Sequence, residues 1–106
     1  MFKNIFSMMF IISGLLANTL SLSDNGNGSW NVNYLTSETI GGFQFNVDGA
    51  TINSASGGDA ESNGFLLSTN ATTVLGFSLT GNTIPSGSGI LLQLNLSGTP
   101  TGLSGI

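Results

Sequence analysis

LSLSDNGNGSWNVNY, residues 20–34, decides the reading of this chain. Leu20 and Leu22 alternate with Ser21 and Ser23, and Trp30, Val32 and Tyr34 alternate with Ser29, Asn31 and Asn33. A period of two puts large apolar side chains on one face of a strand and small polar ones on the other. Between the two runs, Asp24-Asn25-Gly26-Asn27-Gly28 is dense in residues that favour tight turns. Two alternating runs around an Asn-Gly turn predict a β-hairpin.

The same period continues toward the C-terminus. Ile40 to Val47 places Phe43, Phe45 and Val47 on one face, and Asp48-Gly49 signals a turn. Ser54 to Asn63 reads as a Gly/Ser-rich connection, and Phe65 to Ser68 as a short apolar strand. Thr73 to Thr80 puts Leu75, Phe77 and Leu79 on one face. Ile90 to Leu96 groups Ile90, Leu92, Leu94 and Leu96 opposite Leu91, Gln93 and Asn95. Helical spacing is found only near the N-terminus. The expectation is an all-β fold, an antiparallel β-sandwich or jelly roll. Its core would hold Trp30, Val32, Tyr34, Phe43, Phe45, Val47, Phe65, Leu75, Phe77, Leu79, Leu92 and Leu94.

The N-terminus has a different pattern. Lys3 supplies one positive charge, and Ile5 to Leu16 form an apolar run broken by Ser7, Ser13 and Gly14 before Ala17. A spanning helix needs about 20 apolar residues, so this shorter run reads as a signal-peptide helix over 1–17. Residues 18–106 are then the mature domain, secreted and located outside the cell or at its surface. An uncleaved anchor or a buried N-terminal helix is the competing reading.

Composition narrows the function classes. The 106 residues suffice for one small domain, and only 6% are charged. Five acids (Asp24, Glu38, Asp48, Asp59 and Glu61) face a single Lys, for a net charge of -4. Nucleic-acid binding, which needs cations against phosphate, is excluded, and an anionic membrane surface would repel the mature chain. With no Cys, disulfides and thiolate metal sites are impossible. The absence of His, Cys and Arg removes Ser-His-Asp and Cys-His catalysis. A carboxylate pair could in principle cleave glycosides, but every acid lies in or beside turn sequence. The expectation is no enzyme and no cofactor.

GATINSASG (residues 49–57) and GNTIPSGSG (residues 81–89) share the pattern G-x-T-I-x-S-x-S-G, and each follows a strand containing Gly-Phe. Either two equivalent strand–loop units or Gly/Ser bias accounts for the match.

The segments IGGFQFNVDGA (residues 40–50) and TTVLGFSLTGNTIPSGSGILLQLNLSG (residues 72–98) carry a resemblance. Together with LSLSDNGNGSWNVNY and SASGGDAESNGF (residues 54–65), they make the chain resemble cohesin-like β-sandwich modules of large secreted marine bacterial and viral proteins. The resemblance covers nearly all of the mature chain. It implies a jelly-roll sandwich engaged in protein–protein or surface attachment rather than catalysis. Modules of that kind are longer, and this chain stops at Leu103-Ser104-Gly105-Ile106, within what reads as another strand, so the domain is expected to be incomplete.

Candidate ligands follow from side-chain chemistry. Asp24 in its Asn/Gly run, and the pair Asp59 and Glu61, offer oxygen to calcium. Calcium takes about six to eight such ligands at alternating loop positions, and here a plain hairpin turn and a solvated loop fit better. Trp30 and Tyr34 could stack on sugars, but their alternation with Val32 favours the core. The remaining hypothesis is a flat sheet face, with Ser78, Thr80, Leu91, Gln93 and Asn95 as its outward residues. The expected role is an extracellular protein–protein interaction or adhesion module for a protein or cell-surface polysaccharide partner. The alternatives are a carbohydrate-binding module and a structural spacer or virion-surface domain. Secreted protein is expected to begin at Asn18 and to resist trypsin, since processing removes the one basic residue; a mass that still includes Met1 would refute processing.

Overall fold

In a computed structural model, residues 19–105 are described. The expected signal-peptide helix and the end of the chain at Ile106 lie outside them. The described residues form eight strands and one short helix. In chain order these are β1 (Thr19–Gly26), β2 (Ser29–Thr36), β3 (Gly42–Asp48), β4 (Thr51–Ser56), α1 (Gly58–Ser62), β5 (Leu66–Thr69), β6 (Thr73–Phe77), β7 (Gly87–Ser97) and β8 (Gly102–Ser104). One sheet has the order β1-β2-β7-β4 and the other β5-β6-β3-β8, with every neighbouring pair antiparallel. Val32, Ile52, Leu92 and Leu94 from the first sheet join Phe43, Phe45, Val47 and Val74 from the second in one buried cluster, giving a β-sandwich-like arrangement.

The hairpin forms as its sequence predicts. Asn27 and Gly28 have φ of 55° and 81° between the paired Gly26 and Ser29. Positive φ at both central residues is the type I′ turn, whose twist matches that of the flanking strands. Asn25 is an extra residue between the pairs Asp24↔Trp30 and Gly26↔Ser29, a bulge closed by the Gly26 N–H donating to Asp24 Oδ1 at 2.7 Å.

Phe43, Phe45 and Val47 all face the core as expected. The Phe43 ring stacks against Phe45 and Phe65, with centroids 6.2 and 6.1 Å apart. Across the ladder, Phe43 opposes Gly76 and Phe45 opposes Val74. A Cβ at position 76 would overlap the Phe43 ring. The inner face of β6 therefore belongs to Val74 and Gly76, and Leu75 and Phe77 point outward and are only half-buried. This reverses the expected phase of β6. Leu79 follows the strand and is 78% exposed rather than buried.

β7 departs from strict alternation too. Val32 pairs with Leu92 and the next residue, Asn33, with Ile90, so Leu91 is an extra residue in β7. A bulge turns consecutive side chains to one side. Leu91 and Leu92 are accordingly both fully buried, whereas Ile90 is partly exposed. The segment expected as a connection, Ser54 to Asn63, contains the second half of β4 and the single turn α1. Ala60 anchors α1 with no exposed area. Of the two near-repeat isoleucines, Ile52 pairs with Leu96 in β4, and Ile84 forms an isolated bridge with Ile40. Both are buried, but only the first copy builds a full strand.

Gly76→Ala is expected to cost roughly 1–3 kcal/mol, because the stacked Phe43 cannot yield. Gly102→Ala, where a Cβ meets nothing within 4 Å, should leave the melting temperature within about 3 °C. Equal melting of the two variants would contradict the packing account.

Candidate functional site

The two outer faces differ in chemistry. On the β1-β2-β7-β4 sheet, amides and hydroxyls bond to each other across all four strands. Asn33 Nδ2 donates to Ser23 Oγ at 3.1 Å. Asn31 Oδ1 accepts from Asn25 Nδ2 at 2.7 Å and from Gln93 Nε2 at 3.1 Å. Asn53, the bulge residue of β4, donates from Nδ2 to Asn95 Oδ1 at 2.8 Å and to Ser97 Oγ at 3.0 Å. Gln93 and Asn95 are thus exposed, as expected, but their groups are engaged within a polar ladder.

The same side of that sheet also leaves Leu35 54% and Ile90 38% exposed, and the β5-β6-β3-β8 sheet has outward apolar residues of its own. Its register lines up Leu66, Phe77 and Gly42 in one outward row and Ser68, Leu75 and Gln44 in the next. Leu66 is 47% exposed, and Leu75 and Phe77 are half-buried. Asn46 and Thr73 frame the rows, with Thr73 Oγ1 donating to Asn46 Oδ1 at 2.8 Å. A shallow depression runs beside Gln44, Ser68, Asn70, Thr73 and Leu75. Large apolar side chains left outward on a sheet mark a binding face more than scattered single residues do.

The five residues expected to share a binding face do not. Leu91 is fully buried in the β7 bulge and leaves the surface. Ser78 and Thr80 lie in the connection between β6 and β7. There Ser78 Oγ accepts the N–H groups of Thr80 at 3.2 Å and Asn82 at 2.9 Å, a turn-forming role. Only Gln93 and Asn95 share an outer strand face. Leu75 and Phe77 were missed as surface residues because hydrophobicity alone assigns them to the core. The legible signal was Gly76 between them, a position with no side chain to offer the interior.

Each candidate calcium ligand has an internal partner. Asp24 holds the hairpin bulge. Glu61 Oε1 accepts the Gly57 N–H at 2.9 Å and so closes the start of α1. Asp59 Oδ2 accepts from the Tyr34 hydroxyl at 2.6 Å, tying α1 to β2. Opposite Tyr34 in the ladder stands Gly89, where a Cβ would come within 2.7 Å of that carboxylate oxygen. Among the described residues, no cluster of three or more His, Cys, Asp or Glu could hold a metal.

Comparison with protein-family models, curated proteins and solved structures found no match.

Burial, then the hydrogen bond to Asp59 and its negative charge, push the Tyr34 phenol from 10.0 up to about 12. The folded chain therefore holds this proton more tightly than the unfolded chain does. The resulting stability is complete below pH 10 and is lost as pH rises toward 12, by roughly 2 kcal/mol. Tyr34 is the sole tyrosine, so tyrosinate absorbance reads its titration directly. Tyr34→Phe should melt at lower temperature at neutral pH and lose this pH-dependent component; a Tyr34 titration near 10 in the folded protein would refute the buried pairing.

Proposed function

We propose that this chain is a non-catalytic, secreted β-sandwich module of the cohesin-like kind, which docks a protein partner on the outer face of the β5-β6-β3-β8 sheet. The carrying observation is the outward apolar group of Leu66, Leu75 and Phe77, set on neighbouring strands beside polar Gln44 and Ser68. Apolar and aromatic side chains at the centre of a patch, rimmed by polar groups such as Gln44 and Ser68, are what interface hot spots use. The secreted location rests on the order of charge, apolar run and small residue over 1–17. The non-catalytic reading rests on a sequence without His, Cys or Arg and on carboxylates spent on internal hydrogen bonds.

The opposite sheet face supports this choice by contrast. A partner on Asn31, Gln93 and Asn95 would have to replace amide pairs that already satisfy each other, with little net gain. Trp30 lies on the inward side, partly buried against the core and lining the groove between β1 and β8, so it offers no stacking platform on either outer sheet face.

The test is affinity capture from the medium of the producing cells, quantified for three variants. Leu75→Glu should weaken capture of a protein partner tenfold or more while leaving the melting temperature near wild type. Gln93→Glu should change it little. Loss through Gln93→Glu with Leu75→Glu intact would move the interface to the other sheet. Glycan binding abolished by Trp30→Ala would replace this reading with the carbohydrate one.

A further inference from the structure

The four sheet edges are unequal. β4 is tied down where the Ile52 N–H donates to Ala71 O at 2.9 Å. β8 has only three residues and β5 only four. β1 is eight residues long and, among the described residues, has β2 on one side and no strand on the other. Its sequence, TLSLSDNG, lacks the Lys, Pro or inward charge within the Thr19–Ser23 stretch that usually blunts an edge. Its bulge comes only at Asn25, past that stretch. Beneath it, Leu20, Leu22, Trp30, Pro100 and Leu103 line an open groove of about 340 Å³ between β1 and β8. Leu20, Leu22, Trp30 and Leu103 are only partly buried against the core.

We infer that a second copy of this chain adds to this edge through antiparallel β1–β1 pairing, in a register centred on Ser21. This inference is separate from the docking face proposed above, which lies on the other sheet. The register follows from side-chain chemistry. A two-fold axis at Ser21 pairs Leu20 with the second copy's Leu22, and Thr19 with its Ser23. Leucines then meet on the inner face over both grooves, and hydroxyls meet on the outer face, as cross-strand pairing favours. An axis at Leu22 would instead set Asp24 against Leu20 and press a carboxylate onto apolar surface. In the Ser21 register the two Asp24 carboxylates stand six residues apart along the ladder, roughly 20 Å, beyond the screening length at physiological salt. The interface is isologous, so it closes at two copies and does not propagate.

The chain has no cysteine, which makes the register directly readable. Ser21→Cys should form a disulfide-linked dimer under mild oxidation, because the two residues face each other at the axis. Ser23→Cys should not, because its copies stand about four residues apart, near 13 Å. Sedimentation of the wild-type protein should show a monomer–dimer equilibrium, and Leu22→Lys should weaken it tenfold or more. Leu75→Glu should leave it unchanged, which separates this interface from the docking face. A monomer at concentrations on the order of 100 µM, or equal cross-linking at positions 21 and 23, would overturn the inference.

Discussion

The Phe43 ring over Gly76 is the contact on which the arrangement depends. Phe43 is the first of the three inward residues of the central strand β3, stacked against Phe45 and Phe65, with no exposed area. A ring so placed needs an empty site across the ladder, and only glycine provides one. That requirement sets the phase of β6. Once Gly76 faces inward, strand geometry sends Leu75 and Phe77 outward whatever their hydrophobicity. The apolar docking face is thus a consequence of core packing on the reverse side of the same strand. Volume complementarity overrides the preference of the larger apolar residues for the interior.

This explains which parts of the fold could be read from sequence. The hairpin was legible because alternation and turn chemistry agree, with Asn27-Gly28 supplying both left-handed residues. β3 was legible because both its neighbours are hydrogen-bonded strands and its large residues share one parity. β4 was not, because TINSAS carries a single large apolar residue, Ile52, and takes its strand form from pairing with β7. α1 is too short to display a helical period and is held by Ala60 burial and the Tyr34–Asp59 bond. The β7 bulge was hidden because an extra residue leaves the composition of a run unchanged while shifting the face of everything before it. Of the candidate surface, Gln93 and Asn95 lie beyond the bulge and were placed correctly, and Leu91 lies on it and was not.

Scarcity of charge shapes the rest. The described residues contain no Lys, Arg or His to pair with a carboxylate. Four of the five acids instead accept from neutral donors: Asp24 from a backbone N–H, Glu61 likewise, Asp48 from Ser104 and Asp59 from Tyr34. Such bonds pin a bulge, a helix start, an edge strand and a helix, each a place where backbone regularity fails. Among the described residues no buried side-chain nitrogen or oxygen lacks a partner. Neutral amide pairs do the work on the first sheet that surface ion pairs do in more highly charged domains, and salt screens them little.

The two sheets therefore divide the labour. On the first, donors and acceptors are matched to each other within the fold, so a partner would gain only the difference between equivalent hydrogen bonds. On the second, water covers leucine and phenylalanine carbon that has no better option in the monomer. Burying that carbon releases free energy in proportion to area, at about 25 cal/mol per Å² before the costs of association. Selectivity between faces needs no charge pattern under these conditions. It follows from the ladder that engages the amides of the first sheet beside the exposed Leu35 and Ile90, and from the glycine that sends Leu75 and Phe77 outward on the second.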